Sequence, residues 1–158
     1  MGATLAVVGV VVEDMARSLA FHRRLGLDVP AGADTEPHVE VALPGGLKLA
    51  FDTRETINSF DPSWVPSGGS PRTSLAFACD SPDEVDKLYG ELVAAGAESH
   101  LEPWDAFWGM RYAVLHDPDG NGVDLFCPTG GLIDAHQRPP QAGHPRRTEL
   151  PEALMPEA

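Results

Sequence analysis

One order of elements is written twice in this chain, about 70 residues apart, and that repetition constrains the fold more than any other feature. The first pass opens with Val7–Val12, an apolar β-branched run broken only by Gly9, which predicts a strand. Glu13 and Asp14 follow, then Met15, Leu19, Phe21 and Leu25 among polar residues, a spacing that predicts a helix with Asp14 as N-cap and Gly26 at its end. Residues 38–43 and 47–51, on either side of Pro44-Gly45-Gly46, predict a hairpin. The second pass predicts a strand at 74–79, a helix opened by Pro82 and closed by Gly96, a short strand at 97–102, and strands at 111–116 and 123–127. The last two are joined by a turn at Asp117-Pro118-Asp119-Gly120-Asn121.

The intervening residues 53–72, rich in Pro, Ser and Gly, read as a long loop or linker. The expected organisation is a first module at 1–55, a linker at 56–72, a second module at 73–128 and a Pro-rich tail at 129–158. The tail holds five of the fifteen prolines and no Phe, Trp or Tyr, so it is expected to be flexible.

Composition narrows the function classes. A formal charge of −13 on 158 residues argues against nucleic acid or an anionic membrane as partner, because both need a basic surface. No apolar run is long enough to span a bilayer, and the N-terminus lacks a basic signal-peptide region. Cys79 and Cys127 are too few for a disulfide scaffold or a cysteine zinc site, so the chain is expected to be soluble, reduced and cytoplasmic.

The stretch from Val10 to Leu27, with Asp14, then Ser18-Leu19-Ala20-Phe21-His22, then Leu25-Gly26, resembles the opening of the vicinal oxygen chelate superfamily. That group includes glyoxalases, extradiol dioxygenases, and bleomycin and fosfomycin resistance proteins. His22 departs from the family's usual Tyr. The second half agrees: Leu92-Val93-Ala94-Ala95-Gly96 ends its helix, and Arg111-Tyr112-Ala113-Val114 runs into the Asp117–Asn121 turn. The resemblance spans about residues 5–128. It implies an α+β fold of two tandem βαβββ modules whose curved mixed sheets enclose a cleft. It also implies a homodimer.

Metal-using members place one ligand at the start of each module's first strand and one near the end of its last. Those positions here hold Val7, Ala50, Ser74 and Asp124. Only Asp124 offers a strong ligand for a divalent ion, and a catalytic metal wants about three protein ligands. The six histidines show no metal-ligand spacing. No cofactor is therefore expected, and catalysis is not favoured. A divalent metal belongs only to the alternative, a lyase, isomerase or oxygenase using a non-standard metal site or metal-free acid/base chemistry at Asp124 or His116.

The aromatic residues suggest a different use. Trp104, Phe107, Trp108 and Met110 lie within seven residues read as a loop, and Trp64 lies in the linker. The resemblance is nearest to the metal-free antibiotic-binding proteins, in which a planar ligand lies against such side chains. The candidate ligand-binding set is Trp108, Trp104, Phe107, Met110, Trp64, His38, Asp52, Ser74, Asp124 and His116. Asp52, Asp105, Asp124 and Glu102 are expected to put negative charge nearby, favouring a small hydrophobic or cationic aromatic partner.

Overall fold

The computed structural model describes residues 2–130, so the expected tail, apart from residues 129 and 130, lies outside the described residues. Among the described residues are seven strands and three α-helices, and all but the second helix follow the repeated order. The first module contains β1 (Val7–Val12), α1 (Met15–Arg24), β2 (His38–Ala42) and β3 (Lys48–Thr53). After α2 (Arg54–Phe60) come β4 (Ser74–Ala78), α3 (Pro82–Ala94), β5 (Glu98–Ala106), β6 (Met110–His116) and β7 (Gly122–Pro128). The class is α+β with two mixed sheets.

The two sheets share one topology. In the first, β3 lies between β1, parallel to it, and β2, antiparallel. In the second, β7 lies between parallel β4 and antiparallel β6, and β5 pairs with the far side of β6. The first sheet therefore has three strands and the second four, because the stretch between α1 and β2 forms only a short 3-10 turn at Ala33–Thr35.

Local chemistry sets the element ends. The Asp14 carboxylate accepts from the Arg17 N–H at 3.0 Å, and the Ser81 hydroxyl accepts from the Glu84 N–H at 3.1 Å, so both long helices carry the N-cap their sequences advertise. Gly26 follows α1 and Gly96 follows α3, each with positive φ.

Two expectations need correction. Residues 54–60, read as loop, form helix α2, because the Thr53 hydroxyl caps the Thr56 N–H at 3.2 Å. With no fully buried residue in it, α2 lacks the apolar periodicity that would betray a helix. The short strand expected at 97–102 runs on to Ala106, which moves Trp104 from a loop into strand β5. Only residues 107–109 make the turn into β6.

The core is in two parts joined by α1. Met15 and Leu19 pack with Val12, Val39, Val41, Leu49 and Phe51 under the first sheet. Phe21, from the same helix, packs instead with Val85, Leu92, Leu115 and Leu125 under the second. The Glu13 N–H also donates to Asp119 Oδ1 at 2.9 Å, linking the start of α1 to the β6–β7 turn.

His22, where relatives are expected to carry Tyr, is completely buried with its ring edge-on to Phe21 and Phe51. Its Nδ1–H donates to the Ser18 carbonyl at 2.8 Å, while Nε2 has no partner among the described residues. Burial holds its pKa below 6.5, opposed in part by the Ser18 carbonyl and by Asp117. The unfolded chain thus takes up a proton at this residue before the folded one does. Stability is expected to be full above pH 6.5 and to decline as pH falls from 6.5 toward the lowered folded value. Urea midpoints at pH 7.5 and pH 5 measure the decline. A His22→Gln variant, unable to take up that proton, should show a smaller one; an equal decline would place the sensitivity elsewhere.

Candidate functional site

Ala113, Leu115, Val123 and Leu125 belong to the core cluster that includes Val85 and Leu92 of α3, so the residues alternating with them on β6 and β7 face away from it. Register arranges that open face in rows. The uppermost row is Trp104–Tyr112–Phe126, the middle one Val114–Asp124–Ala76, and the lowest Glu98–His116–Gly122–Ser74. One end is thus aromatic, the centre holds a carboxylate, and the other end is polar.

The aromatic end is a connected cluster. Tyr112 meets Trp104 at 5.5 Å and Trp108 at 5.4 Å, both edge-to-face, and stacks with Phe126 at 6.3 Å. Trp104 and Trp108 stand edge-on at 6.1 Å, and Phe107 adds a third ring contact to Trp108 at 5.0 Å. Phe107 and Trp108, at the hairpin tip, remain 38% and 36% exposed. Large side chains held this way offer ring faces and edges to a ligand at little further ordering cost.

Asp124 ties the rows together. Its Oδ2 accepts from the Tyr112 hydroxyl at 2.7 Å and from the Ser74 hydroxyl at 3.2 Å. Burial, reinforced by that hydrogen bond and by the charge on Asp124, pushes the Tyr112 phenol up to about 12. Tyr112 is therefore a protonated donor at neutral pH.

Below Asp124 lies an open hollow of about 640 Å³. It is lined by Glu98, His100, Val114, His116, Gly122 and Asp124, with residues 69–74 as a further wall. His116 Nδ1 lies 3.1 Å from Glu98 Oε1, and the His100 ring stacks on His116 at 5.0 Å. The hollow ends at Val114 and Asp124, and the aromatic row continues the same face beyond them.

The four positions expected for metal ligands fall on strands, two of them earlier in the strand than expected. Val7 and Ser74 each open the first strand of a module, and Ala50 and Asp124 are each the third residue of the last. The side chains there do not fit a metal. Val7 and Ala50 carry no donor, and Ser74 is already bonded to Asp124. Among the described residues, no three His, Cys, Asp or Glu side chains converge as ligands.

The structure brings Trp104, Met110, Ser74, Asp124 and His116 onto one sheet, with Phe107 and Trp108 in its β5–β6 turn. It separates His38 and Asp52, which lie on the open face of the first sheet and bond to each other at 2.6 Å. Hydrogen bonds to Asp52 and then Glu40 raise the His38 pKa above 6.5. Trp64 stands apart from the cluster, its backbone carbonyl accepting from Asn58 Nδ2. Asp105 is corrected as well: it reaches Arg111, which is held by Asp86 of α3, on the helix side of the sheet. The expectations missed Tyr112, Phe126, Glu98 and His100. Tyr112, Val114 and His116 alternate with Ala113 and Leu115, so period two on β6 was the available signal for the first of them.

Comparison with known proteins fits this geometry. The family model for the Glyoxalase/Bleomycin resistance protein/Dioxygenase superfamily matches residues 4–125. A family enzyme of that description from Burkholderia phytofirmans PsJN superposes with a TM-score of 0.68 at 22% identity, covering 80% of this chain and 99% of its own. A glyoxalase/bleomycin resistance protein from Albidiferax ferrireducens gives 0.57 at 26%, covering 77% of this chain and 96% of its own. A lactoylglutathione lyase from Agrobacterium tumefaciens gives 0.55 at 20%, covering 80% and 95%. No curated protein sequence gives a significant match. Among the described residues, no helix is long and apolar enough to cross a membrane.

Proposed function

Because the chain belongs to the glyoxalase/bleomycin resistance protein/dioxygenase superfamily, we propose that it binds planar aromatic, antibiotic-like small molecules without a metal and acts by sequestering them. The observation that carries this reading is the Trp104–Trp108–Tyr112–Phe126 cluster beside the Asp124 carboxylate. A flat ligand gains there by burying ring area, at about 25 cal/mol per Å² before ordering costs. A positive charge on it gains again from the ring faces and from Asp124. The donor-free Val7 and Ala50 remove the metal-dependent chemistry from the reading.

Proflavine, a planar cationic acridine, is a suitable probe. Calorimetric titration should show binding that Trp108→Ala weakens about tenfold, equivalent to about 1.4 kcal/mol. Trp108 sits at a half-exposed hairpin tip, so its removal should leave the fold intact, and Trp104→Ala serves as a second variant. Unchanged affinity in both would sink the assignment.

One observation favours a second reading, a metal-free acid/base enzyme. His116 is held at Nδ1 by Glu98, and its Nε2 has no partner among the described residues, beside Asp124 in the same hollow. The two readings differ in what is recovered. A ligand returned unaltered after prolonged incubation supports sequestration, and an isomerised one supports the enzyme.

A further inference from the structure

Resting on the aromatic-binding reading above, we propose that the full ligand is an aryl glycoside, its aromatic aglycone on the Trp104–Tyr112–Phe126 row and its sugar in the polar hollow below Asp124. The rows fix the dimensions. Tyr112, Val114 and His116 are successive residues of one face on β6, so the aromatic and polar rows stand about 13 Å apart at about 3.3 Å per residue. That distance suits a ring system joined to one monosaccharide, and is too long for a lone fused aromatic to engage both ends.

One position in the polar row is bare for a steric reason. Gly122 lies between His116 and Ser74 in the lowest row, and a Cβ added to it would stand 2.8 Å from the Ser74 Cβ. The space a side chain would take is filled by Ser74 and Thr73, so Gly122 lets β4 pack close and meets the hollow with backbone alone.

The lining chooses among polar groups. Arg72, His100 and His116 face the hollow together with Glu98, Asp124 and Ser74, so it presents basic, acidic and neutral groups side by side. An anion would meet repulsion from Glu98 and Asp124, and a cation placed in the hollow from Arg72. Hydroxyl groups, which both donate and accept, pair with all of them. Free valences are available: Asp124 uses Oδ2 for Tyr112 and Ser74, leaving Oδ1, and His116 uses Nδ1 for Glu98, leaving Nε2. An apolar substituent would strand these groups without partners, at about 1–3 kcal/mol each. The stacked His100 and the Glu98 hydrogen bond fix the His116 ring before a ligand arrives.

The test compares 4-methylumbelliferone with its glucoside, galactoside and glucosaminide by calorimetric titration. At least one glycoside should bind about tenfold more tightly than the aglycone. His116→Ala and Arg72→Ala should each erase that difference, and Trp108→Ala should weaken both probe types together. Circular dichroism of each variant confirms that it is folded. Equal affinity for all four compounds, with the Trp108 effect retained, would overturn the sugar site and leave the aromatic reading standing. Binding of none of them, with proflavine also unbound, would overturn both.

Discussion

Phe21→Ala is expected to lower the thermal midpoint by roughly 10 °C. Truncating a buried Phe costs about 3–5 kcal/mol, and each kcal/mol is about 2–4 °C for a domain of this size. The cost here is also topological. Met15 and Leu19 anchor α1 under the first sheet, whereas Phe21 inserts among Val85, Leu92 and Leu125 under the second. Removing it leaves a cavity where the two modules meet, so calorimetry should show a broader transition as well as an earlier one. Leu19→Ala, confined to the first cluster, should destabilise without broadening. A loss below about 1 kcal/mol for Phe21→Ala would mean that the neighbouring side chains close the cavity.

The second large effect is expected at a glycine. Gly122→Ala places a methyl group 2.8 Å from the Ser74 Cβ and 3.3 Å from the Thr73 carbonyl, across a parallel strand pair that must shift to admit it. Overpacking of this kind costs about 1–3 kcal/mol. It should also remove any preference for a glycoside over its aglycone, since the shift displaces Thr73 and Ser74, which line the hollow. Gly9, in the first strand of the other module, supplies the control. Nothing lies within 4 Å of its added Cβ, and its φ is not positive. Gly9→Ala is accordingly expected to stabilise by about 0.4–1 kcal/mol through the unfolded chain. Chemical denaturation of the two variants side by side separates these effects, and equal losses would refute the steric account.

The repeat was legible because its punctuation is chemical. Asp14, Ser81-Pro82, Gly26, Gly96 and the Asp117–Asn121 turn each carry a local backbone requirement, and each falls where the elements begin or end. Helix α2 escaped because its one sequence signal, the Thr53 cap, stands without an apolar face behind it. Trp104 reads as loop in the sequence because Pro103 and the bulges between Ser99 and Trp104 break the alternation that marks a strand. The candidate site was half legible for a related reason. Tryptophans in a short segment stand out in any sequence, but Tyr112, Phe126 and Glu98 join them only through strand register, which depends on pairings between residues distant in the chain. The same cross-strand dependence explains why His38 and Asp52 proved to be partners of each other, not of Asp124.

The three-stranded first sheet leaves β2 as an outer edge where the second module has β5 to cover the corresponding strand. Val39 and Val41 spend their backbone groups on β3, so the amides and carbonyls of His38, Glu40 and Ala42 point outward. Such a row is a template on which another molecule's strand could grow. The side chains on that edge work against it: His38 and Glu40 alternate along it, and Lys48 reaches Glu40 at 2.6 Å. A second copy laid antiparallel across the edge, centred on Glu40, would set two carboxylates opposite one another. In the shorter half of the repeat, charge does the protective work that a covering strand does in the longer half, and resistance to fibrillar self-association is accordingly tied to salt and to the ionisation of two side chains.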